Sequence, residues 1–212
     1  MMILSWFLGF FFRWLYHSFA WAYDFVAAIV STGQWKSWVT SVSAYLAGPL
    51  VLELGHGPGH LQVNLKAQGR SVYGVDESRQ MGYLAQKRLR KKGFSQGLVR
   101  GAAQALPYPA NTFHQVVSTF PSEYITDPQT MLEIYRVLVP NGEAVILILA
   151  WITDRSWYGR LAAWLFQVTG QTPDKWDDQN LLLFEQFGFK SRSEQLHLPK
   201  STLLVLHLKK AD

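Results

Sequence analysis

Residues 50–60 read Leu-Val-Leu-Glu-Leu-Gly-His-Gly-Pro-Gly-His. A short apolar run carrying one acid, Glu53, opens into glycines at three alternate positions, Gly55, Gly57 and Gly59. Without Cβ atoms such a turn can take positive φ and lets a ligand lie against bare backbone. A buried strand that feeds a glycine turn and then a helix is the nucleotide cradle of doubly wound α/β sheets. A second apolar run, Ser71-Val-Tyr-Gly-Val75, ends at Asp76, 21 residues after Gly55. A carboxylate at that distance suits paired hydrogen bonds to a ribose diol. Three further groups could act on a substrate: His60, at the predicted start of the following helix, and Glu123 and Tyr124, past a fourth apolar run.

The glycine pattern is E-x-G-x-G-x-G, whereas a dinucleotide loop is G-x-G-x-x-G. At this point the chain resembles the class I S-adenosylmethionine (SAM)-dependent methyltransferases, and most closely the branch that holds the ubiquinone/menaquinone C-methyltransferases. Four blocks carry the resemblance across about residues 48–150: Glu53 to Gly59; Val75-Asp76-Glu77-Ser78 with Met81; Gly101 to Pro109 with Asn111 to Val117; and Arg136 to Val145. The resemblance implies that SAM is bound by Glu53, Gly55, His56, Gly57, Gly59, Asp76, Glu77, Met81, Ala102, Ala103 and Thr119. It also makes Tyr23 a lid over the methionine end. Three positions depart from the family's usual residues. Ala102 and His114 stand where aspartate is usual, and His56 where cysteine is frequent. The loss of the aspartate at 102 leaves adenine to backbone and apolar contacts or to Gln104.

The elements that must position these groups follow from apolar periodicity and turn residues. Strands are predicted near 49–54, 71–75, 97–100, 114–119 and 143–150, and helices near 59–68, 78–92 and 128–138. Residues 154–170 read as an inserted or covering helix and 179–187 as the last helix on the sheet. Two final strands, 190–197 and 202–208, meet at Pro199-Lys200. The fold class is α/β: a Rossmann-like, doubly wound, seven-stranded sheet, its last strand antiparallel by the resemblance, preceded by amino-terminal amphipathic helices near 2–30 and 33–47. We divide the chain at residue 47. Residues 1–47 form an aromatic helical part serving as membrane anchor or lid, and residues 48–212 the methyltransferase domain.

At 212 residues the chain can bury a sizeable core, and with no cysteine it can form neither disulfides nor Cys-ligated metal sites. No metal site is expected. The net charge of +5 is local: Lys87-Arg-Leu-Arg-Lys-Lys92 holds five basic residues, and outside it acids and bases are equal in number. Such a run is either a solvated helix face or a contact for anionic lipid headgroups, each basic residue contributing about 1 kcal/mol there. No nucleic-acid-binding motif accompanies it.

Residues 1–30 are dense in Trp, Phe and Leu, with Arg13 and Asp24 as the formal charges. Spanning a bilayer would place Arg13 near its centre, at about 2.5–3.5 kcal/mol. On a helix, Ser5, Gly9, Arg13 and His17 form a narrow polar stripe, and aromatic residues cover the rest. That pattern suits a helix lying in the membrane interface. The alternative is a lid or an interface in a homodimer. The expected function is methyl transfer from SAM to a small lipophilic acceptor, such as a quinone precursor or another lipid, by a cytoplasmic protein held peripherally at the membrane. Alternatives are phosphatidylethanolamine-type N-methylation and a non-catalytic SAM-binding or partner protein. Catalytic candidates are Glu123, Tyr124 and His60.

Overall fold

The computed structural model describes residues 31–95, 97–153 and 179–211. The predicted helices near 2–30 and 154–170, with Tyr23, lie outside them. Seven strands form one sheet: β1 (Leu50–Leu54), β2 (Ser71–Asp76), β3 (Leu98–Arg100), β4 (Phe113–Thr119), β5 (Leu138–Ile152), β6 (Phe189–Leu198) and β7 (Ser201–Lys210). Their order is β3-β2-β1-β4-β5-β7-β6. The first five run parallel, and β7 is antiparallel to both neighbours. This is the predicted Rossmann-like arrangement.

Helix α1 (Trp35–Ser41) precedes β1, and α2 (His60–Ala67), α3 (Arg79–Lys91), α4 (Pro128–Val137) and α5 (Gln179–Glu185) lie between the strands. The site depends on how α3 and α4 begin. Ser78 caps α3 by accepting the Met81 N–H, and Asp127 caps α4 by accepting the Gln129 N–H, with Pro128 at the first helical position. Each cap satisfies a donor that the helix leaves orphaned. Met81, Ala85 and Leu89 recur every four residues and are buried. Arg88, Arg90 and Lys91 end α3, where cations complement the helix dipole.

Two apolar layers flank the sheet. On one face α4 contributes Met131, Ile134 and Val137 and α5 contributes Phe184. On the other, α2 contributes Leu61 and Leu65, and α1 with its continuation contributes Trp38, Val39, Val42 and Leu46. Trp38 is 1% exposed, and its indole N–H donates to Ser201 Oγ at 2.7 Å. Residues 35–46 therefore pack into the same core as the sheet. The helix predicted near 33–47 is in fact two pieces, α1 and a 3-10 turn over Val42–Tyr45. The hydroxyls of Thr40 and Ser41 bond back to the carbonyls of Lys36 and Trp38. Such back-bonding competes with the regular helical ladder. Strand β5 also begins earlier than predicted. It pairs at Leu138, bulges at Pro140-Asn141-Gly142 and resumes at Glu143. Asn141 takes φ +61° within this bulge.

The end of β7 is clasped to the end of α4 and the start of β5. The Lys210 ammonium donates to Asn111 Oδ1 (2.9 Å), Tyr135 O (2.8 Å) and Leu138 O (2.7 Å), and stands 4.5 Å from the Tyr135 ring centre. All three of its donors are used. Lys210→Met keeps the stem but leaves these acceptors unpaired. It should destabilise the protein by roughly 1–3 kcal/mol, measured as a loss in thermal or urea stability.

Candidate functional site

The glycine turn joins β1 to α2 at the carboxyl edge of the sheet. Gly55, Gly57 and Gly59 all have positive φ (+65°, +51° and +82°), a region that L side chains rarely adopt. Two bonds fix the turn to β2. The Gly55 N–H donates to Val75 O (2.8 Å) and the Gly57 N–H to Asp76 Oδ2 (2.8 Å). The other Asp76 oxygen accepts the Ser78 N–H at 2.8 Å. Asp76 is 4% exposed, so the turn, the end of β2 and the start of α3 share one buried carboxylate. Gly59 lies where an added Cβ would stand 2.9 Å from the Ala85 Cβ, and it sets the spacing of α2 against α3. The Arg88 guanidinium donates to Pro58 O from the α3 side.

Glu53, on β1 two residues before the turn, is 1% exposed. Burial pushes its carboxyl up to about 8; the Gln62 side-chain N–H, 2.8 Å from Glu53 Oε2, lowers it, and the Asp76 charge raises it further. His56 is buried, and its pKa falls chiefly through desolvation, against the pull of Asp76. Its Nδ1 lies 2.7 Å from Gly57 O. A carbonyl only accepts, so the neutral ring carries its proton on Nδ1.

Sequence reasoning proposed Tyr124 as a catalytic group, and the structure gives it a different environment. Its hydroxyl lies 2.7 Å from Ser118 Oγ and 3.3 Å from Leu54 O, and Ser118 also donates to Leu54 O. Burial raises its pKa well above the tyrosine range. This phenol is a poor base and instead braces the floor of the turn. An added Cβ at Gly55 would come within 2.8 Å of it. Glu123 is exposed on a 3-10 turn, Glu123–Thr126, ahead of α4. His60 is half-buried and borders a cavity of about 30 Å³ at the turn, with Trp35, Val39, Gly55, His56, Gly57, Pro58 and Thr119.

The remaining predicted residues are spread around this edge. Glu77 is exposed, and its carbonyl accepts from Arg100. Met81 is fully buried under α3. Ala102 and Ala103 are half-buried beyond β3, Ala103 against the α4-side core. Gln104, the alternative adenine contact, donates to Asp127 Oδ2 at 3.0 Å and supports the α4 cap. Sequence reasoning missed the placing of Trp35 at the turn. The helix predicted near 33–47 carries no signal that would put that ring beside Gly55. A second cavity of about 300 Å³ runs from His56 and Asp76 between α3 and β3, flanked by Arg79, Tyr83 and Arg100.

Residues 51–142 match the family model described as a methyltransferase domain. The demethylmenaquinone methyltransferase of Symbiobacterium thermophilum is 32% identical over 144 residues, 64% of this chain and 57% of that protein. The ubiquinone/menaquinone biosynthesis C-methyltransferase of Blochmanniella floridana is 34% identical over 142 residues, 63% of this chain and 56% of that protein. The chain thus spans under three-fifths of the length of these curated relatives. Among solved structures, a Methanococcus maripaludis protein assigned as a SAM-dependent methyltransferase superposes with TM-score 0.65 at 17% identity, covering 91% of this chain and 92% of that one. Haemonchus contortus phosphoethanolamine N-methyltransferase 2, solved with phosphomonomethylethanolamine and S-adenosylhomocysteine, gives 0.61 at 16%, covering 85% and 53%. At such identities the likeness concerns the fold.

Residues 51–142 match a methyltransferase domain, and the fold and turn around them resemble those of the class I SAM-dependent methyltransferases, which supports SAM as the cofactor. Within that class the chain resembles the ubiquinone/menaquinone C-methyltransferases. The left-handed, side-chain-free turn and the buried acid at the end of β2 fit such a cofactor.

Two outcomes test this geometry. Gly55→Ala forces a Cβ into both a left-handed backbone and the Tyr124 hydroxyl, so it should weaken SAM binding and lower stability. The same change in a Tyr124→Phe background should cost less, because the oxygen is gone while the backbone strain of roughly 1 kcal/mol persists. The measurement is a double-mutant cycle of calorimetric SAM affinity and melting temperature. The second outcome concerns Glu53. Its folded value lies above its ordinary value of 4.5. Its contribution to stability is therefore full below about pH 4.5 and is lost as pH rises toward 8. Without cofactor, the wild-type melting temperature should fall between pH 5 and 8, and Glu53→Gln should flatten that fall.

Proposed function

We propose that this chain transfers a methyl group from SAM to a small lipophilic acceptor, a quinone precursor or related lipid, reached from the membrane surface. The observation that carries the reading is the match to curated quinone methyltransferases at 32–34% identity, laid over a built cofactor turn. When bound, SAM supplies an electrophilic methyl group on a sulfonium that leaves readily.

The chain's own residues would bind, align and shield. Gly55, Gly57 and Gly59 would lie against the methionine portion. Asp76, with Glu77 beside it, would hold the ribose hydroxyls, and Ala102 and Ala103 would border the adenine. In an open α/β sheet the acceptor lies beyond the carboxyl ends of the strands. By that rule it would lie near Thr119, His60 and Trp35, which border the cavity at the turn. Alignment and exclusion of water are the main contributions a protein makes to such a transfer. A base is needed where the acceptor carries a proton that must leave. We assign that role to His60, which borders the cavity, rather than to Glu123, which is exposed, or Tyr124, whose hydroxyl is engaged.

Membrane association rests on residues 2–30 and on the basic end of α3, where Lys87, Arg90, Lys91 and Lys92 are exposed. Among the described residues no helix is long and apolar enough to cross a membrane.

The test is incubation of the purified protein with methyl-labelled SAM and a membrane extract, with SAM binding measured in parallel. Label should enter the lipid fraction, in quinone-type rather than phosphatidylethanolamine-type products. Bound SAM with an unlabelled lipid fraction would overturn the acceptor assignment.

A further inference from the structure

From the carboxyl end of β3 the chain runs as a loop, residues 101–112, to the start of β4. The loop begins beside the cofactor turn. Arg100 pairs with Asp76 across β3 and β2, and the Gly101 N–H donates to Asp76 O at 3.2 Å. Ala102 and Ala103 follow, both half-buried and without polar side-chain atoms. The Ala102 carbonyl accepts the Ala105 N–H at 3.2 Å, which closes a turn. Among the described residues the N–H groups of Ala102 and Ala103 and the Ala103 carbonyl take no backbone hydrogen bond. Partly buried backbone groups need partners. Two donors and an acceptor on one short stretch suit a ligand edge that both accepts and donates.

What fixes this stretch lies on α4. The Gln104 amide donates to Asp127 Oδ2 at 3.0 Å. Two residues on, Leu106 is held on both sides: its N–H donates to Glu133 Oε2 (2.7 Å), and its carbonyl accepts from Arg136 Nη2 (3.0 Å). Arg136 Nη1 donates to Tyr108 O at 2.7 Å. Its Nε and Nη2 fork onto the two oxygens of Glu133, at 2.6 and 2.8 Å. The pair stands three residues apart on one helix, within easy reach of each other. A planar guanidinium offers donors in fixed directions, which an ammonium does not. The Leu106 side chain is 5% exposed, and its burial alone would tie the loop down. The charged pair does something more specific, because it sets the orientation of the loop's peptide groups. Neither Glu133 nor Arg136 borders the cavities at the turn.

We propose that Gln104, Glu133 and Arg136 are positioning residues of the cofactor site, holding the loop on α4 so that the backbone of Ala102 and Ala103, in place of a side chain, selects the purine. The inference rests on the SAM reading above, which sets adenine beside these alanines, and adds the residues that govern its selection from behind. The test compares calorimetric binding of S-adenosylhomocysteine and S-inosylhomocysteine to the full chain. Hypoxanthine reverses the acceptor and donor that adenine presents at N1 and its amino group. The wild type should therefore favour the adenine form by about tenfold or more. Arg136→Met should shrink that ratio by about fivefold or more, and Arg136→Lys, which keeps the charge but not the fork, by less. Gln104→Ala should shrink it by about threefold. That variant leaves Asp127 to cap α4, so it reports even where the Arg136 variants fail to fold. Three results overturn the proposal. The wild type binds both forms equally; or the variants weaken both forms by a common factor, as a merely structural clasp would; or Gln104→Ala alone moves the ratio, which would make Gln104 a direct purine contact. Failure of the SAM reading looks different: the wild type binds neither form, and the inference falls with it.

Discussion

The bond between the Gly57 N–H and the Asp76 carboxylate ties the glycine turn to the end of β2, 19 residues further on in sequence. The rest of the site depends on it. The same carboxylate receives the Ser78 N–H, and Ser78 in turn caps α3. Breaking one link therefore loosens the turn, the end of β2 and the first turn of α3 together. Glycine is required because the backbone must enter the left-handed region at alternate residues while passing close to other groups. At Gly55 the neighbour is the Tyr124 hydroxyl, and at Gly59 it is Ala85. The turn is a shape imposed from below by Tyr124, from the side by α3 and from behind by β2.

Much of the frame was legible in the sequence because its signals are local. Parallel strands buried on both faces read as short apolar runs, and helix starts carry their caps. Strands β1 to β4 and helices α2 to α4 fell close to their predicted ranges for that reason. The remaining features depend on distant partners. Lys210 reads as an ordinary terminal cation until Asn111, Tyr135 and Leu138 gather around it. Tyr124 reads as a free phenol until Ser118 and Leu54 O appear beneath Gly55. The bulge at 140–142 has a local cue in Pro-Asn-Gly, but the register it absorbs is visible only against β4. The site split along the same line. The glycines and Asp76 announced themselves by spacing, while Trp35 reached the turn only through packing of α1 on the sheet.

The electrostatics of the turn follow from crowding three ionisable side chains into a dry space. Glu53, His56 and Asp76 are each at most 4% exposed. Three charges cannot all be buried there cheaply. Asp76 receives two backbone N–H groups, one on each carboxylate oxygen. Glu53 has one side-chain donor, from Gln62, and desolvation moves it toward the neutral acid. His56 is driven neutral by the same desolvation. Desolvation thus moves both Glu53 and His56 toward their neutral forms, beside an Asp76 whose two oxygens are held by backbone N–H groups.

That charge pattern bears on the acceptor. A site built to bind an amine ordinarily sets a carboxylate near the reacting nitrogen, both to attract it and to compensate its charge. Among the described residues, the acids nearest the turn, Glu53 and Asp76, are buried beneath it, and Glu123 is out in solvent. What the fold presents at the end of β4 is an aromatic pair, one member of it strained. Backbone strain survives where the geometry it produces is worth more than the relaxed alternative. Phe120 and Trp35 stack on each other and pack against the core on the α1 side of the sheet, so the strained geometry is held from below by that packing.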